Sequence, residues 1–302
     1  MKHLLSIESL HPQNITRFVD SAVNLKTRRG RHEHQPLEGQ TWALIFSKSS
    51  TRTRVSFEVG IRELGGNSLF LSTNDIHLGR GEPIEDTARV LGRMIHGAVI
   101  RTGSQKHVED FAELANIPTI NALTDDEHPC QILADLLTIR EKLGGWDDRK
   151  IAFVGDGFSN MTRTWCWAAK LLGFEFVIAS PAAFQPPADF LARLEAPNVS
   201  VTDDPALAVA GADVIYTDVW LSMGQEDQKE KEAQFSSYQV NAALLKNAAD
   251  GHIVLHCLPA YRGKEISGDI LELHADTIFQ QAENRLHAQK AVMARLANDR
   301  AV

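Results

Sequence analysis

The chain has 302 residues, 43% hydrophobic and 23% charged, with a formal net charge of -8 and a pI near 5.8. An acidic chain of ordinary composition lacks the broad basic field that general nucleic-acid or anionic-membrane binding needs, and its length suits two medium domains. The three cysteines, Cys130, Cys166 and Cys257, are scattered and form no C-x-x-C pair, which speaks against a disulfide framework and a structural zinc site.

The N-terminus "MKHLLSIESLHPQNITRF" is too polar for a signal peptide, and no apolar run approaches a membrane span. The cytoplasm is therefore the expected location. "TWALIFS" reads as a buried strand, and "TRTRVSFEVGIRELGG" as a helix with Val55, Phe57 or Glu58, Ile61 and Leu64 near helical spacing, stopped by Gly65-Gly66. "NSLFLS" follows as a strand and "PIEDTARVLGRM" as a helix with Pro83 in its first turn. "GAVIRT" and "IPTINA" read as strands around the helix "KHVEDFAELAN", before the long helix "HPCQILADLLTIREKLGG". Beyond it, "KIAFV", "FEFVIAS", "ADVIYTDVW" and "HIVLHCL" read as strands, and "NMTRTWCWAAKLLG" and "ADFLARLE" as helices. The chain ends in a long helix, "QQAENRLHAQKAVMARLAND".

Strands alternating with helices predict parallel sheets, and the alternation occurs twice, broken around residues 140–149. The expectation is an α/β protein of two domains, each a central parallel sheet flanked by helices, joined by long helices. The first covers 1–140, with the C-terminal helix of about 284–302 packing back on it; the second covers 141–283. The polar stretch "LSMGQEDQKEKEAQFSSY" reads as a solvated loop and helix, or as a lid over a site.

Hydroxyl and cationic side chains crowd Ser47–Arg54 in an otherwise acidic protein. Ser50, Thr51 and Thr53 stand at a helix start, where free backbone N–H groups bind anions, and Arg52 adds a donor fork suited to phosphate. A plain N-cap needs one hydroxyl, and arginines oppose the dipole at that end, so the segment predicts a phosphate site. "VGDGFSN" is a second strand-to-helix turn. It lacks the third glycine of a dinucleotide fingerprint, and the next strand ends without a ribose-binding acid, which argues against NAD. Asn160 in that turn either caps the helix or faces a ligand carboxylate. His128 and Gln131 share a face at a helix start; the dipole disfavours cationic histidine, and a neutral imidazole can donate to a carbonyl. The alternative for His128 is a capping role. Cys257 at a strand end is a buried structural cysteine or a ligand-facing thiol. His256 points to the opposite face of the strand and is poorly placed to serve it as base. Asp218 could hold an amine or cap a helix, and Arg101, Arg285 and His77 are unspecific singly.

Together "SSTRTR", "HPCQ", "DVWLSMG" and "HCLPAYRG", with "DIHLG" and "QAENR", resemble the aspartate/ornithine carbamoyltransferase family on its ornithine branch, in the family's order and over nearly the whole chain. The resemblance implies transfer of the carbamoyl group of carbamoyl phosphate to the δ-amine of L-ornithine, giving L-citrulline and phosphate, with no metal and no cofactor. It places this in arginine biosynthesis or ornithine/citrulline metabolism. It implies that Ser50, Thr51, Arg52 and Thr53 bind phosphate and that Arg101 bridges phosphate and carbonyl. His128 would contact the carbonyl oxygen and Gln131 the carbamoyl amide, with Arg285 and the backbone near Cys257 and Leu258 completing the carbamoyl pocket. Asn160, Asp218, Ser222 and Met223 would hold the amino-acid end of ornithine, while Cys257 and Asp218 orient the δ-amine. A homotrimer or an assembly of trimers is implied, with His77 reaching the phosphate of a neighbouring subunit. Ser47, Pro83, Phe158, Ser159 and Arg163 depart from the pattern. The competing expectations are a carbamoyltransferase for putrescine or N-acylated ornithine, and a non-enzymatic phosphometabolite-binding regulator.

Overall fold

A computed structural model describes residues 1–31, 35–72, 81–220 and 229–298, with only the backbone for 229–231. The chain divides into two compact units, one of residues 1–137 and 283–302, the other of residues 138–282.

The first unit opens with α1 (Pro12–Thr27), then β1 (Thr41–Phe46), α2 (Thr51–Glu63), β2 (Asn67–Ser72), α3 (Ile84–Leu91), β3 (Gly97–Arg101), α4 (Gln105–Ala115) and β4 (Thr119–Leu123). The helix α5 (Pro129–Leu143) runs on into the second unit. All strand pairs are parallel, in the order β2-β1-β3-β4. β3 is buried at every residue and β1 from Trp42 on, as expected of central strands covered on both faces, whereas the edge strand β2 exposes its first half. Ala43, Ile45, Ala98 and Ile100 form one side of a core with Val108 and Phe111 of α4.

α2 follows its sequence closely at both ends. Ser50 caps it by accepting from Thr53 N–H, and Gly65 follows the last turn in the left-handed region at φ +88°. Its buried face is Thr53, Phe57, Gly60 and Ile61, so Phe57 rather than Glu58 faces inward. Val55, expected on the apolar face, is 53% exposed. Counting back from Ile61 and Phe57 in steps of four reaches Thr53, which leaves Val55 on the outer side. α1 is absent from the sequence expectations, although Ile15, Phe18, Val19 and Ala22 are buried at helical spacing behind Pro12 at the first turn.

The second unit contains β5 (Lys150–Val154), α6 (Asn160–Leu172), β6 (Glu175–Ala179), α7 (Ala188–Leu194), β7 (Val199–Thr202), α8 (Pro205–Val209) and β8 (Val214–Thr217). α9 (Lys229–Gln234), α10 (Ala242–Leu245), β9 (Ile253–His256) and α11 (Gly268–Leu273) follow, and α12 (Ala275–Asn298) ends in the first unit. The sheet is again parallel throughout, in the order β7-β6-β5-β8-β9. The short strand β7 and helices α8, α10 and α11 were not expected from sequence, whereas α9 lies in the polar stretch read as a solvated loop and helix; β7 is a half-exposed edge of four residues with no strong pattern. Strand order reverses between β1 and β3 in one sheet and between β5 and β8 in the other. Ligands of open α/β sheets bind beyond the carboxyl ends of the strands at such points. The expected phosphate segment leaves β1, Arg101 ends β3, the Asn160 turn leaves β5, and Asp218 follows β8.

Candidate active site

In the first unit the expected phosphate segment sits where the free N–H groups of α2 emerge. Ser50 Oγ accepts from Thr53 N–H at 3.3 Å and lies 3.0 Å from Thr53 Oγ1. Thr51 and Arg52 are exposed, Thr53 is buried, and no hydrogen bond from the Arg52 side chain to a described residue is formed. The other cations of the segment have partners: Lys48 pairs with Asp125 at 3.1 Å, while Arg54 pairs with Glu58 at 2.9 Å and lies 3.8 Å over the Phe70 ring. Ser47 is explained as well. Its N–H and Oγ both donate to the carbonyl of Arg101, at 2.9 and 3.2 Å, and so tie the ends of β1 and β3 together. The pairing of β3 with β4 slips between Ile100 and Arg101, an irregularity that re-aims a side chain at a sheet end.

Arg101 is buried there, as are His128, Gln131 and Arg285. Arg285, from α12, donates to Gln131 Oε1 at 2.7 Å and to Thr53 Oγ1 at 3.5 Å. Gln131 in turn donates to Asp135 at 2.8 Å. With its amide oxygen toward Arg285, Gln289 accepts from Nε at 3.1 Å and Nη2 at 3.0 Å and donates to Ser56 Oγ at 2.7 Å. The sequence reading missed Gln289; its position one turn beyond Arg285 was the available signal. Burial holds His128 well below the ordinary histidine pKa, and the charges of Arg285 and Arg101 push it the same way. The imidazole is therefore neutral at pH 7, with burial ahead of the helix dipole as the cause.

In the second unit the turn after β5 is tightly built. Gly157 N–H donates to Ser180 Oγ at 3.0 Å, and a Cβ on Gly157 would stand 2.8 Å from Ser180 Cβ. Ser159 caps α6 by accepting from Thr162 N–H, which takes the capping role left open for Asn160. Asn160 opens the helix, half-buried. Two of the departures meet: the Arg163 guanidinium lies 4.8 Å over the Phe158 ring, which packs edge-on against Phe190.

Cys257 Sγ donates to Asp218 Oδ1 at 2.9 Å, joining the ends of β9 and β8, and the same oxygen accepts from Val219 N–H at 2.7 Å. Burial raises the Asp218 pKa, opposed by His256, the Cys257 thiol and Val219 N–H. His256 serves other groups: Nε2 lies 3.0 Å from Glu265, and Nδ1 accepts from Leu258 N–H at 2.9 Å. That bond holds Leu258 in the left-handed region at φ +58°. One donor atom each of Asp218, His256 and Cys257 lies within 4.8 Å of the others, a metal-like spacing. The hydrogen bonds of His256 engage both of its ring nitrogens, which leaves no lone pair for an ion. Cys130 and Cys166 are buried, their thiols pushed by burial up to about 12 and beyond it, as expected of structural cysteines. His77, Ser222 and Met223 lie outside the described residues.

The carbamoyl-P binding domain of the aspartate/ornithine carbamoyltransferases matches residues 2–141, and the Asp/Orn binding domain matches residues 147–296. The chain is 64% identical to the ornithine carbamoyltransferase of Akkermansia muciniphila, over 99% of each chain. It is 48% identical to that of Campylobacter fetus, over 97% of each. Among solved structures it resembles the anabolic ornithine carbamoyltransferase of Campylobacter jejuni, with a TM-score of 0.93 and 40% identity over 99% of this chain and 100% of that one. The ornithine carbamoyltransferase of Pyrococcus furiosus gives 0.91 and 42% over 97% and 96%. No helix among the described residues is long and apolar enough to cross a membrane.

Proposed function

The chain belongs to the aspartate/ornithine carbamoyltransferase family, and we propose that it transfers the carbamoyl group of carbamoyl phosphate to the δ-amine of L-ornithine, giving L-citrulline and phosphate. The observation that carries this reading is the meeting of buried Arg101 and Arg285 with a neutral His128 in the unit whose α2 helix start carries Ser50, Thr51, Arg52 and Thr53. Such a site matches a small substrate with a dianionic end and a carbonyl beside it.

In this proposal the N–H groups of α2, with Ser50, Thr51, Arg52 and Thr53, hold the phosphate. Arg101 bridges phosphate and carbonyl oxygen, neutral His128 donates to that oxygen, and Gln131 and Arg285 orient the carbamoyl group. In the second unit Asn160 and Asp218 hold the amino-acid end of ornithine, and Cys257 with Asp218 orients the δ-amine. The assignments of Leu258 to the carbamoyl group and of Ser222 and Met223 to ornithine belong to the same proposal. The amine attacks as the free base, whose lone pair forms the new C–N bond. Free in water it would be protonated like lysine, and desolvation beside cations lowers its pKa. As the C–O bond to phosphorus breaks, phosphate leaves with the electron pair and takes up the proton released from nitrogen. Thr53, Arg101 and His128 are donors of the right kind for the oxyanion formed on the way. Phosphate is a good leaving group, so positioning and charge stabilisation carry most of the rate. Cytoplasmic location, service in arginine biosynthesis or ornithine/citrulline metabolism, and a homotrimer or assembly of trimers with His77 acting on a neighbouring subunit complete the reading.

A citrulline assay with carbamoyl phosphate against ornithine, putrescine and N-acetylornithine tests it. Turnover with ornithine alone is expected; turnover with either other amine in its place overturns the specificity. Sedimentation of the active enzyme as a monomer would remove the shared role of His77.

A further inference from the structure

Gln281 of α12 is completely buried, and its carboxamide reaches two strands at once. Its Oε1 accepts from His256 N–H at 2.9 Å, and its Nε2 lies 3.4 Å from Tyr216 Oη. His256 is the last residue of β9, directly before Cys257; Tyr216 stands in β8, two residues before Asp218. β9 is an edge strand, with β8 on one side only. Ile253 N–H donates inward, to Asp213 O on the β8 side, so alternation along the strand turns His256 N–H outward, where no strand can receive it. The last rung of the ladder pairs Thr217 with His256. Beyond that rung the two strand ends part into Asp218 and Cys257, and the thiol-carboxylate bond of 2.9 Å is the next link between them.

We propose that Gln281 is a positioning residue for the δ-amine: by holding His256 N–H and Tyr216 Oη together it sets the Cys257 thiol against the Asp218 carboxylate. The inference rests on the assignment of that pair to the amine of ornithine. No other described side chain is hydrogen-bonded to His256 N–H, and an amide left bare there in the interior lets the end of β9 shift. Displacement of a reacting group by a fraction of an ångström is felt in kcat rather than in carbamoyl phosphate affinity, because the phosphate contacts lie on other residues.

The test uses the full-length enzyme with Gln281→Met, which keeps length and removes both polar atoms, and Gln281→Glu, which keeps the acceptor oxygen for His256 N–H. Steady-state kinetics are combined with the rate at which iodoacetamide alkylates Cys257, read by peptide mass spectrometry; Cys130 and Cys166 are buried and serve as internal references. Gln281→Met is expected to lower kcat about tenfold to hundredfold with KM for carbamoyl phosphate within about twofold, and to speed alkylation of Cys257 several-fold. Gln281→Glu is expected to recover most of both. Wild-type kcat and alkylation in Gln281→Met overturn the proposal, as does a loss that tracks the folded fraction equally in both variants. Failure of the wild-type enzyme to use ornithine sinks the proposed reaction instead, and the alkylation arm still decides the role of Gln281.

Discussion

Lys290 and Glu63 form an ion pair 2.6 Å long even though the lysine side chain is fully buried. Glu63 also accepts from Arg29 at 2.9 Å, so the carboxylate at the end of α2 is shared between two cations. Burial pushes Glu63 up, but its bonds to Lys290 and Arg29 outweigh that and hold it below its ordinary pKa. The two halves of the pair are unequal. Glu63→Gln removes the carboxylate that faces a fully buried ammonium and is expected to cost about 3 kcal/mol, whereas Lys290→Met leaves Glu63 with Arg29 and costs about 1 kcal/mol or less. Urea unfolding of the two variants measures the difference; equal losses would contradict it. Because the Glu63 pKa is depressed in the folded state, its contribution is complete above the unfolded-state value of about 4.3 and disappears as pH falls through the lower folded value. Acid unfolding of Glu63→Gln should therefore show a shallower pH dependence than that of the parent.

Arg52 is exposed at the start of α2, so its removal should leave stability within about 0.5 kcal/mol. Loss of charge-assisted bonds to phosphate should weaken carbamoyl phosphate binding about tenfold to hundredfold. Lys48→Ala is the matched control, because its exposed pair with Asp125 is worth at most about 1 kcal/mol. Titration calorimetry with carbamoyl phosphate separates the two, and equal effects would remove Arg52 from the phosphate site.

His128 is neutral throughout the working range because burial, helped by Arg285 and Arg101, places its protonation well below the ordinary histidine value. The pH profile of kcat should show no step near about 6.5 from this residue. His128→Ala should lower kcat by about a hundredfold, and His128→Asn, which restores an N–H donor, by less. A profile step near neutrality that vanishes in His128→Asn would show that the imidazole titrates.

Cys257 donates to Asp218, so Cys257→Ala leaves a buried carboxylate oxygen with Val219 N–H and one donor fewer. The substitution should lower kcat about tenfold to hundredfold with carbamoyl phosphate affinity unchanged. Since burial already raises the Asp218 pKa, loss of the thiol donor raises it further. The acid limb of kcat/KM for ornithine should then move to higher pH; a limb unmoved in Cys257→Ala would separate Asp218 from the amine.

Local chemistry made the helix start at Ser50–Thr53, the neutral His128 and most central elements legible from sequence, because a cap, a strand end and a buried apolar run are written in adjacent residues. What escaped the sequence depended on distant partners. Ser47 looked anomalous until the Arg101 carbonyl stood beside it, and Lys48 and Arg54 acquired roles from Asp125 and the Phe70 ring. Phe158 and Arg163 looked like two separate departures and proved to be one stacked pair. Gln281 and Gln289 lie in a helix whose amphipathic pattern was plain, but only the fold shows which backbone amide or guanidinium each one meets. β7 was missed for the opposite reason, being short, half-exposed and weakly patterned.

The first unit is built from both ends of the chain, residues 1–137 and 283–302, around the insertion of the second. Gly60 of α2 shows how closely the late segment fits: a Cβ there would stand 3.1 Å from Met293 Cε and 3.2 Å from Lys290 Cγ. On the ribosome the order of synthesis is therefore not the order of completion. The Ser50–Thr53 segment emerges early, but Arg285, Gln289 and Lys290 emerge only after the whole second unit, so the unit begun first is completed after it. A chain interrupted after residue 282 carries Ser50–Thr53 but leaves the face of α2 at Gly60 without the Lys290 and Met293 side chains that pack on it.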